Sequence, residues 1–340
     1  MRLIRRERIL QVVVLLGSTL VALVLVEIIL RVANVVPETD QSNAHLVYDH
    51  TNPDYFKLKP NLKGIPFTGI LLTSNQYGFR DRNMSVARPE GVYRIAVMGD
   101  SWGFGWGVEY DNTIVRRLEK LLRDKYPGRR IELLNFSIPG HNMNHHYYML
   151  KNEVLRFQPD QVLLLLHLND IETLTVPGQG AGGGGRGQPV WRLATQFVRD
   201  LKISQFLYAR LLQPLANRLG VSNSSFVDNF LWQYSPQGLY RASYEKYLDQ
   251  FLALARESHL KVSVFLLPIP LAQSRPYQLQ PVNDVIKKIF AARGVTVIEL
   301  LDSYPNYSKG ELVINANDGH PNPFASNLLA HEIARKFNVK

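Results

Sequence analysis
The sequence predicts an α/β protein in which a single N-terminal transmembrane helix precedes a domain built on a parallel sheet with helices on both faces. Three observations carry this expectation. Residues 9–30 are a run of 22 with a single charge, Glu27, and Arg2, Arg5, Arg6 and Arg8 stand before them. From Tyr93 onward, short apolar runs alternate with stretches of helical spacing. One of those runs, 161–167, holds four consecutive leucines, as a strand buried on both faces requires.

The first element is the anchor. A helix of 22 residues is roughly 33 Å long, which matches a bilayer core of about 30 Å. Signal-peptide apolar regions are shorter, and Arg31-Val32-Ala33-Asn34 is a poor cleavage site. A cleaved signal peptide is the alternative, and export follows from either. No polar–apolar alternation marks residues 9–30 as a buried core helix. The arginines before the span place the N-terminus in the cytoplasm by the positive-inside rule, and everything after Arg31 outside, in the periplasm of a cell with an inner membrane. Glu27 sits one turn before Arg31, so an i,i+4 ion pair near the outer interface accounts for it.

Three regions are expected: a basic flank and anchor at 1–31, a juxtamembrane linker and lead-in at 32–92 that becomes ordered around 65–80, and an α/β domain at 93–340. Strands are expected at 94–98, 131–136, 161–167, 261–267 and 295–300, and helices at 113–125, 243–257 and 322–336. The segment 178–240 interrupts the alternation as a loop and helical insertion. Residues 178–187 hold seven glycines and read as a flexible loop; no Gly-Lys-Ser/Thr follows to make it a phosphate cradle. Residues 191–219 are basic and amphipathic, suited to core packing, to a lid over the sheet edge, or to contact with lipid head groups.

Composition narrows the chemistry. The chain has no cysteine, which excludes a disulfide scaffold, a thiol nucleophile and a cysteine-ligated metal. Its 39 basic and 29 acidic residues give a net charge of +10. Five of the basic and two of the acidic residues belong to the anchor and its flanks, so 34 face 27 beyond it and the exported part is itself basic. Charge alone admits nucleic acid, but no nucleic-acid motif is present and an exported domain rarely meets DNA.

Gly99-Asp100-Ser101-Trp102 follows the first strand and precedes a helix, where a serine is exposed at the carboxyl edge of the sheet. Such a serine is either a helix cap or a nucleophile that needs a base. Glycines 103, 105 and 107 do not complete a dinucleotide fingerprint, because Val108 stands at its last position and no acidic residue ends the second strand. No cofactor is expected. The second strand leads to Pro139-Gly140, whose glycine amide can point into the same crevice, and the third ends in Asn169-Asp170, whose amide side chain can donate to an oxyanion. Asp318-Gly319-His320-Pro321-Asn322 lies in a loop before the last helix, where His320 can supply the base and Asp318 can orient it. His141 and His145 are spaced i,i+4, but no glutamate follows the first as in a zinc motif. With His146 they read as surface or supporting histidines beside Gly140, and no metal is expected.

These blocks resemble those of the SGNH (GDSL-type) hydrolases, with Ser101 in Gly-Asp-Ser-Trp, Gly140 in Pro-Gly, Asn169 in Asn-Asp and His320 in Asp-Gly-His-Pro-Asn. Residues 75–81, Asn-Gln-Tyr-Gly-Phe-Arg-Asp, are similar to the lead-in of membrane-anchored bacterial members. The resemblance covers about residues 70 to 338. It implies a flavodoxin-like three-layer α/β/α domain with strand order 2-1-3-4-5 and the site at the switch point between strands one and three. It implies Ser101 as nucleophile, His320 and Asp318 completing a triad, and Ser101, Gly140 and Asn169 as the oxyanion hole. Three departures stand out. His167-Leu168 replaces the usual Gly-x before Asn-Asp; a histidine there either narrows the site or forms a hydrogen bond, and it is a second candidate base behind His320. Asp318 precedes His320 by two rather than three positions, a spacing similar to that of the membrane-associated O-acetyltransferase branch, and Asn317 occupies the three-before position. Trp102 replaces the common leucine.

The expected function is serine-dependent ester hydrolysis or acyl transfer outside the cytoplasmic membrane, on short-chain O-acyl groups of a small molecule or cell-surface glycan. The alternative from another class is a catalytically inactive, membrane-tethered module of a polysaccharide assembly. A third reading, lipid deacylation, predicts an apolar groove near Trp102, Phe104 and Trp106; ordinary packing of these rings around the turn is the competing account.

Overall fold
The structure is a computed structural model that describes residues 2–33, 48–52, 54–171, 201–207, 211, 221–270, 277–304, 307–315 and 318–339. The glycine-rich run 178–187, most of 191–219 and Asn317 lie outside the described residues. The chain divides into two compact units, one of residues 1–41 and 183–226 and one of residues 42–182 and 227–340.

In the first unit, helix α1 runs from Arg2–Val32, and within it Val13–Val32 spans 20 residues at a mean hydropathy of 2.7. That is long and apolar enough to cross a membrane, as an anchor or a signal sequence. Glu27 pairs with Arg31 at 2.7 Å. Its carboxylate also accepts the backbone N–H groups of Lys202 (3.0 Å) and Ile203 (2.9 Å), at the start of a short helix, Lys202–Leu207. Helix N-termini carry unsatisfied donors, so the acidic residue inside the apolar run has a second set of partners that local spacing does not reveal.

The second unit holds a five-stranded sheet made of β1 (Val92–Gly99), β2 (Arg130–Asn135), β3 (Gln161–Leu166), β4 (Lys261–Leu266) and β5 (Val297–Glu299). All neighbours are parallel and the order is β2-β1-β3-β4-β5. This is the flavodoxin-like order expected above, with the switch point between β1 and β3. The leucines of β3 explain the architecture. Leu164 and Leu166 enter one core with Ala96 and Met98 of β1, while Leu163 and Leu165 enter the other with Ile95 and Val97. Side chains alternate across a strand, so a continuous apolar run is stable only where both faces are covered.

One face is covered by α2 (Ile114–Lys125), through Ile114, Leu118 and Leu122, and by the last helix (Pro323–Lys336) through Leu329 and Ile333. The other is covered by Met143–Asn152, Arg241–Glu257 and Gln280–Ala291, whose buried residues include Met149, Leu248, Phe251, Ile286 and Phe290. The result is three layers, α/β/α. The lead-in adds to this second core rather than trailing beside it. Phe56, Leu58, Phe67, Leu72 and Phe79 are buried there, and Tyr55 and Lys57 reach Glu153 at 2.9 and 2.6 Å. The expected loop around His320 is instead a short antiparallel ribbon, β6 (Val313–Asn315) with β7 (Asp318–Pro321). Pro321 and Gly319 mask the strand pattern there, because both are poor strand residues away from an edge.

Candidate active site
Ser101 stands one residue beyond Asp100, at the turn from β1 into a four-residue helix, Ser101–Phe104. The cap of that helix is Asp100, whose Oδ1 accepts the Trp102 N–H at 2.9 Å. Ser101 is therefore the first helical residue and its hydroxyl is not used for capping. It meets His320 Nε2 at 2.8 Å, while His320 Nδ1 lies 2.6 Å from Asp318 Oδ1, which also accepts the His320 backbone N–H at 3.0 Å. An N–H donated from Nδ1 to the carboxylate leaves Nε2 as the acceptor for the serine O–H, the tautomer a general base needs. Burial pushes the Asp318 carboxyl up, but hydrogen bonds from the His320 side chain and backbone, the charge of His320 and the Trp106 indole outweigh it and hold its pKa below the usual value.

The neighbouring loops converge on the same strand end. After β2, Phe136 N–H donates to Val97 O (2.8 Å) and Ile138 N–H to Gly99 O (3.2 Å), which carries the chain alongside β1 to Gly140. Gly140 has φ +80, a left-handed conformation that strains any other residue, although a Cβ there would meet only Phe56 Cζ at 3.5 Å. Gly103 is needed for space instead, since a Cβ would lie 2.4 Å from Ser137 Oγ. Asn169 lies in a turn of 3-10 helix, Leu168–Ile171, just past β3. Its Oδ1 accepts from His167 Nδ1 at 2.6 Å, so the end of the carboxamide left to donate is Nδ2. The His167 ring lies against Trp102, with centroids 5.0 Å apart and planes tilted by 37°, and its Nδ1 is 3.7 Å from Asp100 Oδ2. His167 Nδ1 thus holds Asn169, and the imidazole that meets Ser101 is that of His320.

The lead-in motif at 75–81 supports the serine turn from below. The buried Arg80 guanidinium donates to the carbonyls of Phe104 (3.2 Å) and Gly105, which close the short helix, and of Val108 in the turn that follows. Burial lowers its pKa to about 10 against the pull of Glu109 and Tyr110. Asp81 accepts from the Asn135 N–H and the Tyr110 hydroxyl, both at 2.8 Å, and so ties the same segment to the end of β2. Sequence reading places this motif by resemblance only, because an arginine in a polar, turn-rich stretch carries no local sign of burial.

Trp102 and Phe104 do not line a groove. They are buried in the two separate cores, which favours packing over the lipid-groove expectation. Trp106 differs, being stacked on His320 with centroids 5.2 Å apart at 20°.

His141, His145 and His146 are buried, not at the surface. His141 Nε2 bonds Phe56 O at 2.7 Å, His145 stacks on His141, and His146 Nε2 lies 3.4 Å from Asp170 Oδ2. Burial, reinforced by the other imidazoles, lowers His141 well below its usual pKa and brings His145 to about 3. The unfolded chain binds these protons near pH 6.5 and the folded chain does not, so this part of the stability is complete above about pH 6.5 and is lost as pH falls below it. Urea unfolding followed by tryptophan fluorescence should show stability declining from pH 6.5 towards 4 by about 1.4 kcal/mol per pH unit for each such histidine. His145→Gln keeps the side-chain half of the cap with Asn142 and should flatten that slope; an unchanged slope would locate the acid sensitivity elsewhere.

A five-stranded parallel sheet between two helical layers, with a serine at the end of β1 bonded to a histidine, is the arrangement of the SGNH class of acyl hydrolases. The model of the GDSL-like Lipase/Acylhydrolase family matches residues 97–325, more than half of the chain, and the chain belongs to that family. Similar solved structures include TesA, at 17% identity with 71% of this chain and 95% of that one covered and a TM-score of 0.42. They also include the acetyl xylan esterase AlAXEase, at 15% identity, 72% and 100% coverage and a TM-score of 0.43. A catalytic mutant of the acetylxylan esterase Axe2 from Geobacillus stearothermophilus is 16% identical over 73% and 95% of the two chains, at a TM-score of 0.43. No curated protein matches the sequence.

Proposed function
We propose that the chain is a serine esterase or acyltransferase acting on short-chain O-acyl groups, in which Ser101 is the nucleophile, His320 the base and Asp318 the group that orients it. The observation that carries this reading is the continuous hydrogen-bond chain from Asp318 through His320 to Ser101. As Ser101 Oγ bonds to the ester carbonyl carbon, its proton passes to His320 Nε2 and the carbonyl electron pair moves to oxygen. That oxyanion is held by the amides of Ser101 and Gly140 and by Asn169 Nδ2, each such donor contributing about 2.7–4 kcal/mol. Collapse expels the alcohol, which takes the proton from His320 and leaves an acyl-serine. Water then regenerates the serine in hydrolysis, and a sugar hydroxyl does so in transfer.

On this reading the chain is an anchor (1–31), a lead-in (32–92) and a catalytic domain (93–340), and the apolar α1, as anchor or as signal sequence, supports chemistry outside the cytoplasmic membrane. A basic exported part and a position beside the membrane suit an acylated or anionic cell-surface glycan. The two-residue spacing from Asp318 to His320 is what favours transfer as a second reading. The test is a fluorophosphonate probe with mass spectrometry, followed by turnover of acetyl esters with and without sugar acceptors. A phosphonyl adduct on Ser101 is expected; glycan binding without an adduct would instead support the non-catalytic module. Acylated sugar appearing in place of free acid identifies a transferase.

A further inference from the structure
We infer that Trp106 is a positioning residue for the Asp318–His320 pair, held in place by a lead-in ribbon that lies outside the family-matched residues. The inference rests on the roles proposed above for His320 and Asp318. Asp318 presents only one carboxylate oxygen to His320, at 2.6 Å from Nδ1. The Trp106 indole N–H donates to the other, Oδ2, at 3.2 Å. Rotation about the last bond of an aspartate is soft, so a donor on each oxygen fixes the plane of the carboxylate where one donor would not. The same indole covers a face of the imidazole, with centroids 5.2 Å apart and planes within 20°. One side chain thus constrains both members of the pair.

Trp106 is itself secured twice. Its backbone N–H donates to Ser101 O at 3.0 Å, which ties it to the nucleophile turn. Its ring meets Phe67 edge to face at 4.8 Å and 71°. Phe67 is buried in the ribbon of Ile65–Phe67 with Ile70–Leu72, which precedes the matched segment that starts at residue 97. A line of contacts therefore runs from the lead-in through Trp106 to the base. Apart from His320, Trp106 is the one side chain bonded to the Asp318 carboxylate among the described residues, and Asn315 Oδ1 accepts its backbone N–H.

The test compares the full chain in detergent with its Trp106→Phe, Trp106→Leu and Phe67→Leu variants. Trp106→Phe keeps an aromatic face and loses the donor, so kcat for a short-chain ester should fall about 10-fold with KM within about 2-fold. Trp106→Leu loses donor and stack together and should fall about 100-fold, with Phe67→Leu showing the smallest loss. The second readout needs no substrate: the Asp318 carboxyl carbon, assigned by its absence in Asp318→Asn, should titrate at higher pH in Trp106→Phe, because a donor to the charged form has gone. If kcat and the titration both match those of the unmodified chain, the inference is overturned. If the unmodified chain shows no turnover that depends on Ser101, it is the proposed function that fails, and the titration still decides the role of Trp106.

Discussion
Replacing Ser101 with alanine should lower kcat for a p-nitrophenyl acetate-type ester about a million-fold while leaving the fold intact. The size follows from what the hydroxyl does. In the proposed mechanism it forms the bond to the acyl carbon, and without it His320 has no proton to take, so acylation cannot begin. A residual rate from oriented water and the oxyanion donors remains, because Gly140 and Asn169 do not depend on the serine hydroxyl for their placement. The structure also says why stability should barely change. The helix that starts at Ser101 is capped by Asp100, and the hydroxyl contacts His320 rather than the helix backbone. Removing it costs no cap, and the thermal midpoint should shift by no more than about half a kcal/mol of stability implies. The paired measurement is kcat and thermal unfolding of both proteins in the same detergent. Equal, slow turnover by the two would sink the nucleophilic reading, whereas a variant that lost activity by unfolding would show it in the melting curve.

The parts of the fold legible in the sequence were those with a strong local pattern. The four leucines of β3 mark a strand covered on both faces whatever covers it, and the apolar runs that become β1, β2 and β4 needed only their ends adjusted. Met143–Asn152 has no helical signature in the sequence because its buried face is made of Met143, His145, His146, Met149 and Leu150, where histidines stand in for hydrocarbon. Gln280–Ala291 has a clear apolar face, but Pro281 at its start reads as a breaker unless it is recognised as a first-turn proline. At the site, the positions of Ser101 and Asn169 followed from strand ends, which is a local property. The contacts that tune it did not. Trp106 and Asp318 are 212 residues apart in sequence, and no spacing rule links an indole in one loop to a carboxylate in a ribbon. Arg80 illustrates the same limit, since its role rests on three carbonyls made available by a turn more than twenty residues later.

Asp318→Asn should cost about four orders of magnitude in kcat, the scale seen when the acidic member of such a triad loses its charge but keeps its shape. Two effects combine. The amide can no longer favour the tautomer that leaves His320 Nε2 free to accept from Ser101, and it offers no charge to the imidazolium that forms during attack. The present carboxylate is well suited to both, because its bonds to His320 and Trp106 hold its pKa below the ordinary value despite burial. It therefore stays ionised throughout the neutral range. Its contribution is lost only as pH falls through that lowered value, so any loss of rate between pH 8 and 6 has another origin. The variant also separates two assignments that the spacing of this block leaves open. If Asn317, three positions before His320, supplied the orienting oxygen, Asp318→Asn would keep the rate within about 10-fold and Asn317→Ala would lose it. The geometry of Asp318 Oδ1 at 2.6 Å from Nδ1 predicts the reverse. Steady-state kinetics of the two variants, each normalised to its fluorophosphonate-titrated active sites, decides between them.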